Sequence, residues 1–283
     1  MGGEAVKRRV IVLITAAVLV PALLIWLLWA NSSPAATQVT VASGALPGAF
    51  EGFKIAHVSD LHNAVFGRKN ERLLSLIRAA EPDIIAITGD LIDSRHTDID
   101  SALAFVEAAA EIAPVYYVTG NHESRLDFDE IEPRLIAAGA RVLRNEAEDI
   151  GRGGERIRLA GIDDPSFIRT GGTAEERAAA ELEQLGDGGG TFTVLLAHRP
   201  ELVEVYAEYG AGLVLSGHAH GGQVRLPLLG GLYAPGQGLL PEYDSGLYSL
   251  GETQMVVSRG LGNSVAPLRV NNRPELVIVT LSR

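Results

Sequence analysis

Leu215-Ser216-Gly217-His218-Ala219-His220-Gly221-Gly222-Gln223 sets two histidines two residues apart on a glycine-flanked turn, directly after the apolar run Gly212-Leu213-Val214-Leu215. If that run is a strand, the turn leaves its carboxyl end. Histidines at i and i+2 there reach two neighbouring points in space, as a pair of metal ions requires.

Four earlier segments repeat the design, a short aliphatic run ending in a residue able to bind metal. Lys54–Ser59 ends in Asp60, with His62 two residues on; Asp83–Gly89 ends in Asp90; Val115–Gly120 ends in Asn121-His122; Phe192–Ala197 ends in His198. Ligands of open α/β sheets gather outside the carboxyl ends of the strands. Each residue alone has an ordinary explanation as a turn or a helix cap, but five such coincidences at one strand end do not. Nitrogen and oxygen donors without a thiolate suit Zn, Mn or Fe. Seven candidate ligands exceed what one tetrahedral ion needs, so two divalent ions sharing a carboxylate is the economical account. Such a pair lowers the pKa of a bridging water and clamps an in-line phosphoryl displacement.

In order along the chain stand Asp60-Leu61-His62, Gly89-Asp90, Gly120-Asn121-His122-Glu123, His198 and Gly217-His218-Ala219-His220. This set resembles the calcineurin-like metallophosphoesterases over roughly residues 53–283, and no metal-site position departs from their pattern. The resemblance implies an α/β fold, a four-layer α/β/β/α sandwich with the metals at its rim. It implies that Asp60, His62 and His220 hold one metal, that Asn121, His198 and His218 hold the other, and that Asp90 bridges them. His122 is then a non-ligand that contacts the phosphoryl oxygens or protonates the leaving group, while a metal-bridging hydroxide attacks in line. Ser59-Asp60-Leu61-His62, Gly221-Gly222-Gln223 and Ser258-Arg259-Gly260-Leu261-Gly262 look like small membrane-anchored bacterial phosphodiesterases. The implied substrate is a phosphodiester, with a phospholipid or a nucleotide-linked lipid as candidates. A phosphomonoester is the alternative on the same site. A binding or scaffold module of the same fold, or a one-metal hydrolase of another bond, are rivals that the complete ligand set disfavours.

The amino-terminal part reads differently. Residues 1–9 carry Lys7, Arg8 and Arg9, and Val10 to Ala30 is apolar without one charge. At 1.5 Å per residue this run spans about 30 Å, the thickness of a bilayer core. Trp26 and Trp29 suit an interfacial aromatic belt, and Pro21 is tolerable in a membrane helix. The run exceeds the usual length of a signal-peptide core, which favours a retained single-pass anchor over a cleaved signal, although Ala30, Ala35 and Ala36 would suit cleavage. Bases before the helix place residues 1–9 in the cytoplasm and the catalytic domain on the extracytoplasmic side of the cell membrane. Beyond residue 30 the chain carries 34 acids and 21 bases, a net of −13, which argues against nucleic acid as a general partner. A phosphate-ester substrate is still compatible, because bound cations dominate the local field. Cysteine is absent, so there is neither a disulfide framework nor a thiolate site.

Residues 31–52 read as a Ser/Ala/Pro/Gly-rich linker with one edge strand at Gln38–Val41, ahead of a domain over 53–283. Helices are expected at Asn70–Ala80, Asp98–Ile112, Phe128–Ala138, Thr173–Leu185 and Glu201–Glu208, with further strands at Arg141–Leu143, Arg156–Ala160, Gln254–Val257 and Glu275–Leu281. His57 is out of phase with Asp60 and reads as a packed core histidine; His96 reads as a solvated loop residue. Asp163-Asp164-Pro165 reads as a turn. Arg259, Arg269 and Arg273 are candidates for holding a phosphate, or equally are surface charges. The uncharged run Leu226–Pro241 reads as a loop folded onto the sandwich or as an apolar cap beside the metals that rests on the bilayer or admits an acyl chain.

Overall fold

Residues 2–168, 171–186, 188–263 and 266–283 are described by the structure, a computed structural model. An apolar helix opens the chain (α1, Gly2–Ser32), followed by β1 (Ala35–Ala42), β2 (Lys54–Val58), α2 (Glu71–Ala80), β3 (Ile84–Thr88) and α3 (Ile99–Ala110). Next come β4 (Val115–Val118), α4 (Phe128–Ala137), β5 (Ala140–Val142), β6 (Glu146–Arg152), β7 (Glu155–Gly161), α5 (Ala174–Leu185), β8 (Thr193–Leu196), α6 (Val203–Glu208) and β9 (Leu213–Ser216). Two small hairpins, β10 (Arg225–Leu226) with β11 (Gly230–Gly231) and β12 (Tyr233–Ala234) with β13 (Gly238–Leu239), precede β14 (Gly246–Leu250), β15 (Thr253–Val257) and β16 (Glu275–Ser282).

The large strands form two six-stranded sheets, ordered β1-β16-β2-β3-β4-β5 and β14-β15-β9-β8-β7-β6. Alternation of side chains along a strand assigns the layers. Ile55, Ala86, Tyr116 and Val118 of the first sheet pack with Leu159, Val194, Leu196, Leu213 and Leu215 of the second, between the sheets. Their neighbours Ala56, Ile85, Ile87, Val115 and Tyr117 face the other way, onto Leu73, Ile77, Phe105, Val106, Ile131 and Leu135 of α2, α3 and α4. On the far side, Ala160, Leu195 and Val214 meet Ala178, Leu182 and Tyr206 of α5 and α6. The result is the four-layer α/β/β/α sandwich. Central strands buried on both faces read as unbroken apolar runs, which is why Ile84–Thr88 is buried at every residue.

Two helix starts, those of α3 and α5, carry side-chain caps. Asp98 accepts from Ser101 N–H at 3.0 Å, and Thr173 with Glu176 closes a capping box on α5. The expected edge strand runs longer than Gln38–Val41: β1 covers Ala35–Ala42 and pairs along its whole length with β16, so residues 31–52 are not all linker. The edge strands β6 and β14 were not expected.

Register also fixes which rim α1 meets. β16 runs antiparallel to β2, with Val277 opposite His57, and β1 runs parallel to β16, with Ala35 opposite Glu275. The start of β1, and with it the end of α1, therefore lies at the carboxyl end of β2, beside Asp60. The helix end is tied there: Asn31 exchanges two hydrogen bonds with the Arg269 backbone, at 3.0 and 2.8 Å, and the Arg273 guanidinium lies 4.7 Å from the Trp29 ring centroid. The stretch Lys7–Ser32 is long and apolar enough to cross a membrane, and its most apolar part is not buried against the rest of the chain.

His57 is fully buried, with Nε2 2.8 Å from Thr88 Oγ1, as expected of a core histidine. Burial lowers its pKa to about 4, against a smaller upward pull from Glu275. The unfolded chain therefore takes up a proton near pH 6.5 that the folded chain refuses until about pH 4. Stability owed to neutral His57 is intact above pH 6.5 and falls progressively down to pH 4, by at most about 3 kcal/mol. His57→Gln is expected to flatten the acid limb of a urea-midpoint-versus-pH curve across that window. An unchanged limb would contradict this.

Candidate metal centre

Every expected ligand residue lies on one rim, just beyond a strand end, and the local backbone is shaped for it. Asp60, His62, Asp90, His218 and His220 all have left-handed φ, between 45° and 64°. Such conformations are costly for residues with a Cβ and persist where the surroundings over-determine them, as at functional sites. Close approach does the rest: a Cβ at Gly120 would overlap Asp90 Oδ1, and one at Gly217 would overlap Ser59 Oγ and Asp60 Oδ2.

The expected ligands converge in two groups, and His62 meets Asp93 and His122 in a third. In the first, Asp60, His62, Asp90 and His220 bring one ligand atom each within 4.8 Å of one another; in the second, Asp90, His198 and His218 do so. His62 Nε2 lies 3.3 Å from His220 Nε2, and His220 Nε2 lies 3.5 Å from Asp60 Oδ1. In the other group His198 Nε2 lies 3.1 Å from His218 Nδ1. Asp90 belongs to both: its Oδ2 is 3.5 Å from His62 Nε2 and 3.4 Å from His198 Nε2. Its Oδ1 accepts the His122 N–H at 2.8 Å. The Asp60 carboxylate accepts the His218 N–H at 3.1 Å.

At three of the four histidines the electrostatics favour ligand chemistry. Burial keeps His62, His218 and His220 neutral, the first lowered to about 4, the last to about 3 and His218 well below its usual value. Neutral imidazole is the metal-binding form. Burial disfavours the His198 cation as well, but the Asp90 carboxylate outweighs it and lifts His198 to about 10. The His198 Nδ1 lies 2.7 Å from the Thr88 carbonyl, which makes Nδ1 the donor and aims Nε2 at the site. Asn121 Oδ1 is buried with no hydrogen-bond partner, an oxygen that a cation would satisfy. The donor set is nitrogen and oxygen throughout, and it fits divalent first-row metals.

Residues 53–222 match the calcineurin-like phosphoesterase family model. The chain belongs to that family. It is 32% identical over 254 residues to the Bacillus subtilis protein called uncharacterized metallophosphoesterase YkuE, covering 87% of this chain and 84% of that one. It is 33% identical over 246 residues to phosphodiesterase YaeI of Escherichia coli, covering 81% and 82%. A Bos taurus protein called transmembrane protein with metallophosphoesterase domain is 32% identical over 269 residues, which cover 90% of this chain and 59% of that one. Among solved structures, TT1561 of Thermus thermophilus has the same fold, with a TM-score of 0.50 at 17% identity over 74% of this chain and 90% of that one.

Inside this family member, several residues that sequence reading passed over support the rim. Ser94 N–H donates to His122 Nδ1 at 3.1 Å, and Asp93 Oδ1 lies 3.3 Å from the same nitrogen. Burial works against ionised Asp93, yet the Arg95 N–H and the nearby histidines hold its carboxyl below the usual range. Glu123 is fully buried and accepts N–H bonds from Asp90 at 2.9 Å, Ile92 at 3.0 Å and Gly120 at 2.9 Å. It ties the Asp90 turn to the Asn121 turn. Burial, then the Asp90 charge, push it up to about 7 against those bonds. Glu123→Gln removes acceptor capacity for three buried donors, so a urea midpoint is expected to show a loss of about 1–3 kcal/mol, and no loss would contradict the tie.

The remaining candidates resolve by contact. His96 is solvated, its side chain 89% exposed. Asp164 caps the turn at Pro165–Phe167 and pairs with Arg199 at 2.7 Å, while Asp163 bonds Thr119 at 2.8 Å. The three arginines offered for phosphate are held elsewhere. Arg259 pairs with Glu275 at 2.7 Å, Arg269 is buried against the Arg259 and Gly262 carbonyls, and Arg273 binds the Ser33 carbonyl.

Proposed function

We propose that this chain is a membrane-anchored, dinuclear metallophosphodiesterase. The shared position of Asp90 Oδ2, between His62 and His198, carries the reading: one carboxylate oxygen serves two nitrogen clusters. Asp60, His62 and His220 would hold one ion, Asn121, His198 and His218 the other, and Asp90 both. Bound there, two divalent ions would bring a shared water towards a neutral pKa and neutralise phosphoryl oxygens during in-line displacement. Acting as an imidazolium, His122 would pass one proton to the departing alkoxide and be left as the neutral imidazole. Asp93 Oδ1, 3.3 Å from His122 Nδ1, would stabilise that imidazolium before the proton leaves.

A diester is favoured over a monoester by likeness to a relative called a phosphodiesterase. Anchoring is supported by the apolar stretch Lys7–Ser32 and by a relative called a transmembrane protein. Lys7, Arg8 and Arg9 before that stretch favour an extracytoplasmic catalytic domain. Because α1 ends on the ligand-bearing rim, a lipid-borne diester is the substrate class within reach.

The test uses bis-p-nitrophenyl phosphate and p-nitrophenyl phosphate side by side, after chelation and after return of Mn, Zn or Mg. Diester turnover that chelation stops and metal restores is expected. Turnover of the monoester alone would make the protein a phosphatase, and metal-independent turnover would remove the mechanism. His122→Ala is expected to lower diester kcat by about 10²–10⁴-fold with metal content unchanged; a normal rate would strip His122 of its role.

A further inference from the structure

The ligand turn does not end at the metals. From Gly222 the chain runs into the two small hairpins, which rest on that turn: Leu232 N–H donates to the Gly222 carbonyl at 3.2 Å, and Leu240 N–H donates to the Leu232 carbonyl at 2.9 Å. The same hairpins are stitched to the segment beside α1. Val224 bridges Val270, and Arg225 N–H donates to the Val270 carbonyl at 3.0 Å. Arg269, one residue away, is the residue whose backbone Asn31 grips at the helix end. One continuous set of hydrogen bonds, backbone through the hairpins and closed by the Asn31 side chain, thus joins His220, the hairpins and the exit of α1.

What the hairpins show to solvent is apolar. Leu228 is fully exposed, Leu239 is 75% exposed and Leu229 65%; Leu240 and Tyr233 are also exposed. No charged residue interrupts Leu226 to Pro241. Leu268 and Val270 continue the exposed apolar surface on either side of Arg269. Soluble surfaces seldom present so many large aliphatic side chains together, and such patches mark contact faces. Exposed Leu and Tyr beside a helix bearing Trp26 and Trp29 at its end match the composition of a membrane interface.

We propose that the two hairpins, with Leu268 and Val270, are a bilayer-docking face that lays the ligand-bearing rim against the lipid surface from which α1 emerges. This rests on reading α1 as a membrane anchor. The commitment to lipid, over a protein partner, follows from geometry. The face is hydrogen-bonded to the helix end, so when α1 spans the bilayer, Leu268 and Val270 sit at interfacial depth and the hairpins project from that level. The opposite rim, where the β6–β7 turn meets Ala49, stays in water.

The chain has no cysteine, so single labels are unambiguous. Full-length Leu229→Cys, Leu239→Cys and, on the opposite rim, Arg156→Cys would each carry an environment-sensitive fluorophore. Each would be placed in phosphatidylcholine–phosphatidylglycerol vesicles, its fold confirmed by an unchanged urea midpoint. The expected result is blue-shifted emission at 229 and 239, quenched by a nitroxide on the acyl chains and shielded from aqueous iodide, with the reverse at 156. Iodide quenching at 229 and 239 equal to that at 156, in protein that stays with the vesicles through alkaline washing, overturns the docking face while leaving the anchor standing. Shielding from both quenchers means a protein covers the face and likewise overturns it. Loss of protein from the washed vesicles removes the anchor and the docking face together. None of these readouts depends on turnover.

Discussion

Asp90→Asn is expected to lower metal-dependent turnover of bis-p-nitrophenyl phosphate by at least about 10³-fold, because the carboxylate it removes is the one group common to both histidine clusters. An amide has the same shape but no charge, and its nitrogen cannot ligate. With the charge gone, both clusters lose their shared anion. His198 also loses the partner that lifts its pKa to about 10. The substitution should leave the fold standing, since Oδ1, which accepts the His122 N–H, keeps an amide-oxygen equivalent. The check is initial rate together with the urea midpoint. A fall in rate below tenfold, with the fold intact, would mean that Asp90 is not the shared ligand.

Gly217→Ala is the second large effect, and its cause is room. The residue lies between β9 and His218, and a Cβ there would overlap Ser59 Oγ and Asp60 Oδ2. Neither neighbour can yield cheaply: Ser59 is fully buried, and the Asp60 carboxylate is held by the His218 N–H. Overpacking of this kind costs about 1–3 kcal/mol, and displacement of Asp60 would also spoil the group it forms with His62 and His220. The expected outcome is a lowered urea midpoint and loss of bound metal. Gly44→Ala, where a Cβ meets nothing within 4 Å, is the silent control. Wild-type stability and metal content in Gly217→Ala would show that the turn has slack.

Much of this rim was legible because burial on both faces of the central strands makes them plain apolar runs, and each run hands over to a polar residue at its carboxyl end. Asp60, Asp90, Asn121, His198 and His218 all follow that rule. What escaped lacks such a pattern. β6, Glu146–Arg152, is an exposed edge strand with no buried face to give a period. Asp93 and Glu123 act through contacts across the chain: Glu123 collects N–H groups from Asp90 and Ile92, some thirty residues earlier. Arg269 was a candidate phosphate holder because Arg suits phosphate, yet its fully buried side chain is spent on backbone carbonyls, the Asn263 side chain and the His220 ring. Residue type alone cannot distinguish a guanidinium that binds substrate from one that pins loops.

Metal content of the purified full-length chain shows directly whether two ions share the Asp90 carboxylate. Two divalent ions per wild-type chain are expected by inductively coupled plasma mass spectrometry, falling to one or none in Asp90→Asn. One ion per wild-type chain, or two retained by Asp90→Asn, would rule out a carboxylate shared between two metals.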